Sequence, residues 1–207
     1  MGLINMDEQE LIQFAVQGDI EAFNQLVLKY QDMVYNQALW LMKEQEVAED
    51  MAQDAFIRAY QSLSSYRGGS FRSWLSRIVT NLCVDELRRL KRRPTVPLMP
   101  SDTEGEEIDS PYWMADPKMN VEETVENIEL DSTLRGLVEE LPIEYRTALV
   151  MVDILDFDYA EAAQSMGIPI GTLKSRLVRA RLRLRNRLER SNTFSGRPFF
   201  SSQFATN

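Results

Sequence analysis

The residues of this chain that can do chemistry are cations and aromatic rings. Histidine is absent and cysteine occurs once, as Cys83. Serine–histidine triads, histidine general bases, histidine metal sites and multi-cysteine zinc sites are therefore excluded. The spacing shows no nucleophile–base pair and no phosphate-cradling loop, so the chain is read as no enzyme and as needing no cofactor or metal. What it does carry is a glycine-bearing loop of aromatics and arginines, Tyr66-Arg67-Gly-Gly-Ser70-Phe71-Arg72. Arg77, Asn81, Val84 and Arg88 follow as a stripe at helical spacing. Aromatic and guanidinium planes stack on unpaired bases, and cations track a phosphate backbone. A second set, Thr172, Lys174, Ser175, Arg176, Val178, Arg179 and Arg183, mixes hydroxyls, a small apolar side chain and cations. That mixture suits base edges and phosphates of duplex DNA.

Both sets sit in basic blocks of an acidic chain. The formal net charge is −9, but residues 67–93 carry +6 and residues 174–190 carry +7. Residues 1–66 carry −8, residues 94–142 carry −11 and residues 143–173 carry −4. Charges act over about 8 Å at physiological salt, so the blocks matter more than the total. Two separated basic patches imply two contacts with a polyanion.

The elements that position these blocks are helical. Leu11, Phe14 and Ala15 recur at three and four, and Gly18-Asp19 ends that helix and caps the next. Ala22, Phe23, Leu26, Val27, Tyr30, Val34, Ala38 and Leu41 continue the period. A third segment over 45–63 turns Val47, Met51, Ala55, Phe56, Ala59 and Leu63 inward and Glu46, Asp50, Gln53, Asp54 and Gln61 outward. That acidic side is either a solvated surface or a docking face for a basic partner. A fourth helix runs from Phe71 to Arg92, with Phe71, Trp74, Leu75, Ile78, Val79 and Leu82 as its apolar face. Trp74 is read as core. Cys83 lies in the apolar part of that helix and is expected to be inert packing.

Residues 94–124 read as a linker, with five prolines at 94, 97, 100, 111 and 117 and an acidic run from Asp102 to Asp109. Helical patterning resumes over 125–190. There Tyr159 to Met166, Gly167 and a second helix from Gly171 form a helix-turn-helix pattern, with the glycine in the left-handed conformation that closes a helix. In the second helix Leu173, Leu177, Ala180, Leu184 and Leu188 fall in one buried stripe. Thr172, Ser175, Val178 and Arg179 lie opposite, flanked by Lys174, Arg176, Arg183 and Arg187. Residues 191–207, with Phe194, Phe199, Phe200 and Phe204, are expected to be a flexible tail. No strand alternation appears. The expected fold is all-α: a domain over 1–93 and a helix-turn-helix domain over 125–190, joined by an acidic tether. No apolar run is long enough to cross a bilayer and no signal-peptide pattern opens the chain, so the expectation is a soluble protein of a reducing cytoplasm.

In order and spacing, three groups of residues in the first unit and two in the second resemble one family. They are Gly18-Asp19-x-x-Ala22-Phe23; Ala48-Glu-Asp-Met-Ala-Gln-Asp54-Ala-Phe56-Ile-Arg-Ala-Tyr60; Phe71-Arg-Ser-Trp74-Leu-Ser-Arg-Ile-Val-Thr-Asn81; Leu141-Pro-x-x-Tyr145-Arg146; and Gly171-Thr-Leu-Lys-Ser-Arg176. The pattern resembles a bacterial RNA polymerase sigma factor of the extracytoplasmic-function group. The short tether stands where longer sigma factors carry a middle region. The resemblance implies a dissociable subunit of core RNA polymerase that reads the −10 and −35 promoter elements. It implies docking on the polymerase clamp coiled coil through Asp50, Gln53 and Asp54. It implies capture and melting of the −10 element by Tyr66, Arg67, Ser70, Phe71, Arg77, Asn81 and Arg88. It implies −35 reading by the 172–183 set, packing of the second unit on the polymerase flap, and an anti-sigma factor that covers the polymerase-binding faces. The competing reading is a helix-turn-helix regulator that binds a DNA palindrome as a dimer; it explains 143–190 but neither the arginine–aromatic loop nor the acidic face. An all-helical adaptor leaves both basic blocks unexplained.

Overall fold

The computed structural model describes residues 6–92 and 134–190, with side chains to Leu188 in the last helix. The tether, residues 125–133 and the phenylalanine-bearing tail lie outside the described residues. Four helices form the first unit: α1 (Glu8–Val16), α2 (Ile20–Leu41), α3 (Gln45–Ser62) and α4 (Phe71–Arg92). Asp7 opens α1 with a capping box: its carboxylate accepts from the Glu10 N–H at 2.8 Å, and its own N–H donates to the Glu10 carboxylate at 3.1 Å. Asp19 caps α2 by accepting from the Ala22 N–H at 3.1 Å. The predicted helix break at Gly18 is present, with φ +98°.

α3 packs on α2 and α4 through alanines. Ala48, Ala55 and Ala59 are buried, while Val47, Met51 and Phe56 are half-buried. Small side chains let helix backbones approach closely, so the larger residues sit at the margins of the contact rather than in it. Gly68 and Gly69 turn the chain at φ +88° and +94°, a region open to glycine at little cost. Ser70 then caps α4: its Oγ accepts from the Ser73 N–H at 3.2 Å. Between α2 and α4 a buried polar ladder replaces apolar packing. Gln37 Nε2 donates to the Ser76 carbonyl (3.0 Å) and Thr80 Oγ1 (2.8 Å), and Ser76 Oγ donates to Gln37 Oε1 (2.8 Å).

The second unit starts with a helical turn at 134–139, then α5 (Ile143–Leu149), which widens into a π-type turn over Val150–Ile154. The sequence predicts one regular helix over 143–155. The observed widening is sealed by the Leu155 N–H donating to the Val150 carbonyl at 2.9 Å. Next come α6 (Tyr159–Met166) and α7 (Ile170–Arg190). Asp158 caps α6 through the Glu161 N–H at 2.8 Å, and Gly167 ends it at φ +63°. Leu173, Leu177, Ala180, Leu184 and Leu188 are all buried, as their period predicts. Each such leucine contributes about 1.5–3 kcal/mol of burial.

The two units are packed together. Val138, Leu141, Leu149, Val150 and Leu177 belong to the same apolar cluster as the cores of α1–α4, and α6 lies against α4. Arg146, 6% exposed, crosses between the units. Its Nη1 donates to the Leu41 carbonyl at the end of α2 (2.8 Å), and its Nη2 donates to the Glu139 carbonyl and to the Leu141 carbonyl (3.3 Å). Burial lowers its pKa from the ordinary arginine value.

Candidate nucleic-acid interface

α7 presents the predicted polar face. Lys174, Ser175, Val178, Arg179 and Arg183 are exposed, and Thr172 and Arg176 are half-buried. Val178 is 62% exposed, so its methyls are open to solvent. Ser175 Oγ donates to the Thr172 carbonyl at 2.9 Å. The Lys174 ammonium sits 5.6 Å from the Tyr159 ring centroid, and the Arg183 guanidinium 5.0 Å from that of Tyr145. These rings fix long side chains that would otherwise lose rotamer freedom on binding. Two further arginines of the block are structural. Arg181 is held bidentately by Asp153 (Nε 3.0 Å, Nη2 2.7 Å), and Arg187 pairs with Glu140. Leu182, beside this face and 54% exposed, is not singled out by the sequence because it falls outside the leucine stripe.

On α4, Arg77, Asn81 and Arg88 form the predicted exposed stripe, with Val84 half-buried among them. Arg88 Nη1 lies 3.3 Å from Asp85 Oδ1 at the surface. In the preceding loop Arg67 is exposed and Tyr66 half-buried. Tyr66 Oη donates to the Gly69 carbonyl at 2.6 Å. Its ring packs edge-on against Phe71 (5.6 Å) and Trp74 (5.4 Å), and burial raises its pKa. Phe71 is 2% exposed. Its ring also meets Tyr30 (5.6 Å) and Trp74 (5.3 Å). Its place among the predicted base-contacting residues is therefore corrected: it fills the core beneath the loop and supports Tyr66. Ser70 has the capping role described above.

α3 exposes Asp50, Gln53 and Asp54 together, along with Glu46 and Gln61. Ile57 lies in the same face, 50% exposed. The face therefore offers a dry contact as well as carboxylates, which acidic spacing alone does not reveal. Cys83 is buried, and burial pushes its thiol up to about 12, which makes it a poor nucleophile. Among the described residues no cluster of acidic, cysteine or histidine side chains could hold a metal ion, and no helix is long and apolar enough to cross a membrane.

The helix-turn-helix with its open polar face, set beside a basic helix that follows an aromatic loop, defines a DNA-binding protein of two helical units. Residues 26–93 match the model of sigma-70 region 2, and residues 132–184 match that of sigma-70 region 4. The chain belongs to the sigma-70 family of RNA polymerase sigma factors, in its extracytoplasmic-function group. It is 36% identical over 187 residues to the ECF RNA polymerase sigma factor SigM of Mycobacterium tuberculosis H37Rv, covering 90% of this chain and 87% of that one. It is 33% identical over 177 residues to the ECF sigma factor SigE of Mycolicibacterium smegmatis, covering 86% of this chain and 65% of that longer protein. In fold it is similar to CnrH, solved in complex with the cytosolic domain of CnrY, with a TM-score of 0.65 at 23% identity over 88% of this chain and 97% of that one. As a sigma factor it is a polymerase-associated subunit that directs promoter-specific initiation.

Proposed function

We propose that the three exposed faces divide the work of initiation. The α7 face, Thr172 to Arg183, enters the major groove of the −35 element, with Arg179 and Val178 at base edges and Lys174 and Arg183 on phosphates. The 66–88 face takes the −10 element as a melted strand: Tyr66 offers a ring for stacking, and Arg67, Arg77, Asn81 and Arg88 line its path. The α3 face of Asp50, Gln53, Asp54 and Ile57 docks on the basic clamp coiled coil of core polymerase, and the second unit rests on the flap. The protein acts in the cytoplasm, where the chromosome is. An anti-sigma factor that covers the α3 face would hold it inactive.

The observation that supports this reading is the co-existence on one chain of an exposed polar and basic face on α7, an exposed Arg67, Arg77, Asn81 and Arg88 on and before α4, and an exposed acidic face on α3. A regulator that binds duplex DNA alone has no use for the last two. The test is footprinting of the reconstituted polymerase on a responsive promoter. Arg179→Ala should remove protection at −35 and leave docking intact. Asn81→Ala should keep −35 protection and lose permanganate-reactive thymines at −10. Asp50→Lys with Asp54→Lys should abolish co-purification with core polymerase. Loss of all three activities in every variant, or of none, would overturn the assignment.

A further inference from the structure

A strand-binding face on α4 works only if the helix turns Arg77 and Asn81 outward together, and its apolar packing does not fix that rotation closely. Leu75, Val79 and Leu82 lie in one apolar cluster with Val34, Ala38 and Leu41 of α2, and apolar contact has no direction. Successive residues of a helix are about 100° apart, whereas a recognition set has to be held to within about 10–20°. Direction comes from Gln37. It is 0% exposed, so water offers its amide no other partner. Nε2 gives one proton to the Ser76 carbonyl (3.0 Å) and one to Thr80 Oγ1 (2.8 Å), and Oε1 accepts from Ser76 Oγ (2.8 Å). The amide stands one way round, because a carbonyl only accepts. Both of its protons are spent on α4, so a turned α4 would leave them buried and unmet.

The two residues that Gln37 grips each stand directly before a strand-facing one. Ser76 precedes Arg77 and Thr80 precedes Asn81; the first of each pair is buried and the second exposed. We propose that Gln37 is a positioning residue for −10 recognition: its amide, bonded to Ser76 and Thr80, sets the rotation at which α4 presents Arg77 and Asn81, and so sets how sharply the face discriminates between bases. This rests on the reading of residues 66–88 as the strand-binding face. Gln37 itself is buried and meets the strand only through α4. The use of the ladder is geometric. Replacing every member of a buried polar network by apolar groups of similar shape costs little stability or adds some, so packing strength alone gives no reason for a glutamine here. What the apolar version lacks is a single rotation that satisfies it.

The test uses the full chain assembled with core polymerase, on a promoter located by mapping 5′ ends. Opening is followed by permanganate reactivity on the native −10 element and on versions with one base changed. The readout is the ratio of the two opening rates, which does not depend on how much of the chain is folded and active. Two variants are compared with the parent: Gln37→Met, and the triple Gln37→Met/Ser76→Ala/Thr80→Val, which leaves no member of the ladder unpartnered. The expected result is a ratio reduced about tenfold in both, with −35 protection kept and, in the triple variant, a thermal midpoint close to the parent's. A parent-like ratio in either variant overturns the positioning role and shows the ladder to be packing only. The reading of the face is judged on the parent and on Asn81→Ala. A parent that opens both −10 versions alike, or an Asn81→Ala chain that discriminates as the parent does, overturns that reading and this inference with it. A discriminating parent beside equally discriminating Gln37 variants overturns the inference alone.

Discussion

Arg179 and Arg183 stand four residues apart on one helix, yet their removal should have different effects. Arg179 is on the exposed face beside Val178, where a guanidinium reaches a base edge, whereas Arg183 is steadied against Tyr145 toward the flank. Arg179→Ala should cost about 1–3 kcal/mol on a matched −35 element and much less on a scrambled one. Arg183→Ala should weaken both equally and flatten the slope of log affinity against log salt by about 0.9 for each phosphate that Arg183 neutralises. Equal weakening on matched and scrambled sites for Arg179→Ala would remove it from base reading. Cys83 makes a second prediction at this scale. Its thiol is pushed from 9.0 up to about 12 by burial, so the folded state keeps the proton that the unfolded state gives up. The stability tied to that proton is complete below pH 9, declines as pH rises through the interval and is gone above the folded value. Denaturant midpoints should therefore fall between pH 8 and pH 11 more steeply for the parent than for Cys83→Ala, and thiol reagents should react only on unfolding.

At the scale of elements, the turn of the helix-turn-helix depends on Gly167 at φ +63°. Gly167→Ala should lower stability by about 1 kcal/mol through backbone strain, since the added Cβ meets Arg77 only at ordinary contact distance. A thermal melt measures it, and an unchanged midpoint would mean that the turn relaxes. The same element shows why much is legible in the sequence. Asp19, Gly18, Gly68, Gly69 and Gly167 mark helix ends with local chemistry, so the bounds of α4 and the buried stripe of α7 follow from spacing. The α3 core follows less well, because Ala48 carries little hydrophobic signal and works by letting helices approach. The π-type turn at Val150–Ile154 has no period of its own. Phe71 reads as a base contact because an aromatic next to arginines looks the same in sequence whether it stacks outward or inward. Ser70 reads as a −10 contact and Ser73, Glu161 and Ser165 are not singled out by the sequence; only the packing of α6 on α4 makes them partners.

At the scale of the molecule, one buried cation ties the units. Arg146 donates to carbonyls on both sides of the boundary. Arg146→Met keeps most of the volume and strands those acceptors, at a cost of about 1–3 kcal/mol. The single melting transition expected of the parent should broaden or split, and a variant as stable and as cooperative as the parent would show that apolar packing alone joins the halves. The motif Leu141-Pro-x-x-Tyr145-Arg146 points to the family without revealing this role, because a tie across the boundary needs both units in view. The central claim, that this chain selects promoters for polymerase, is met most directly by transcription with purified core polymerase on a genomic fragment library, mapping 5′ ends. Discrete starts preceded by a shared pair of −35 and −10 sequences, abolished by Asp50→Lys/Asp54→Lys, are the expected result. No starts above core alone, from polymerase that responds to a control sigma factor, would contradict it.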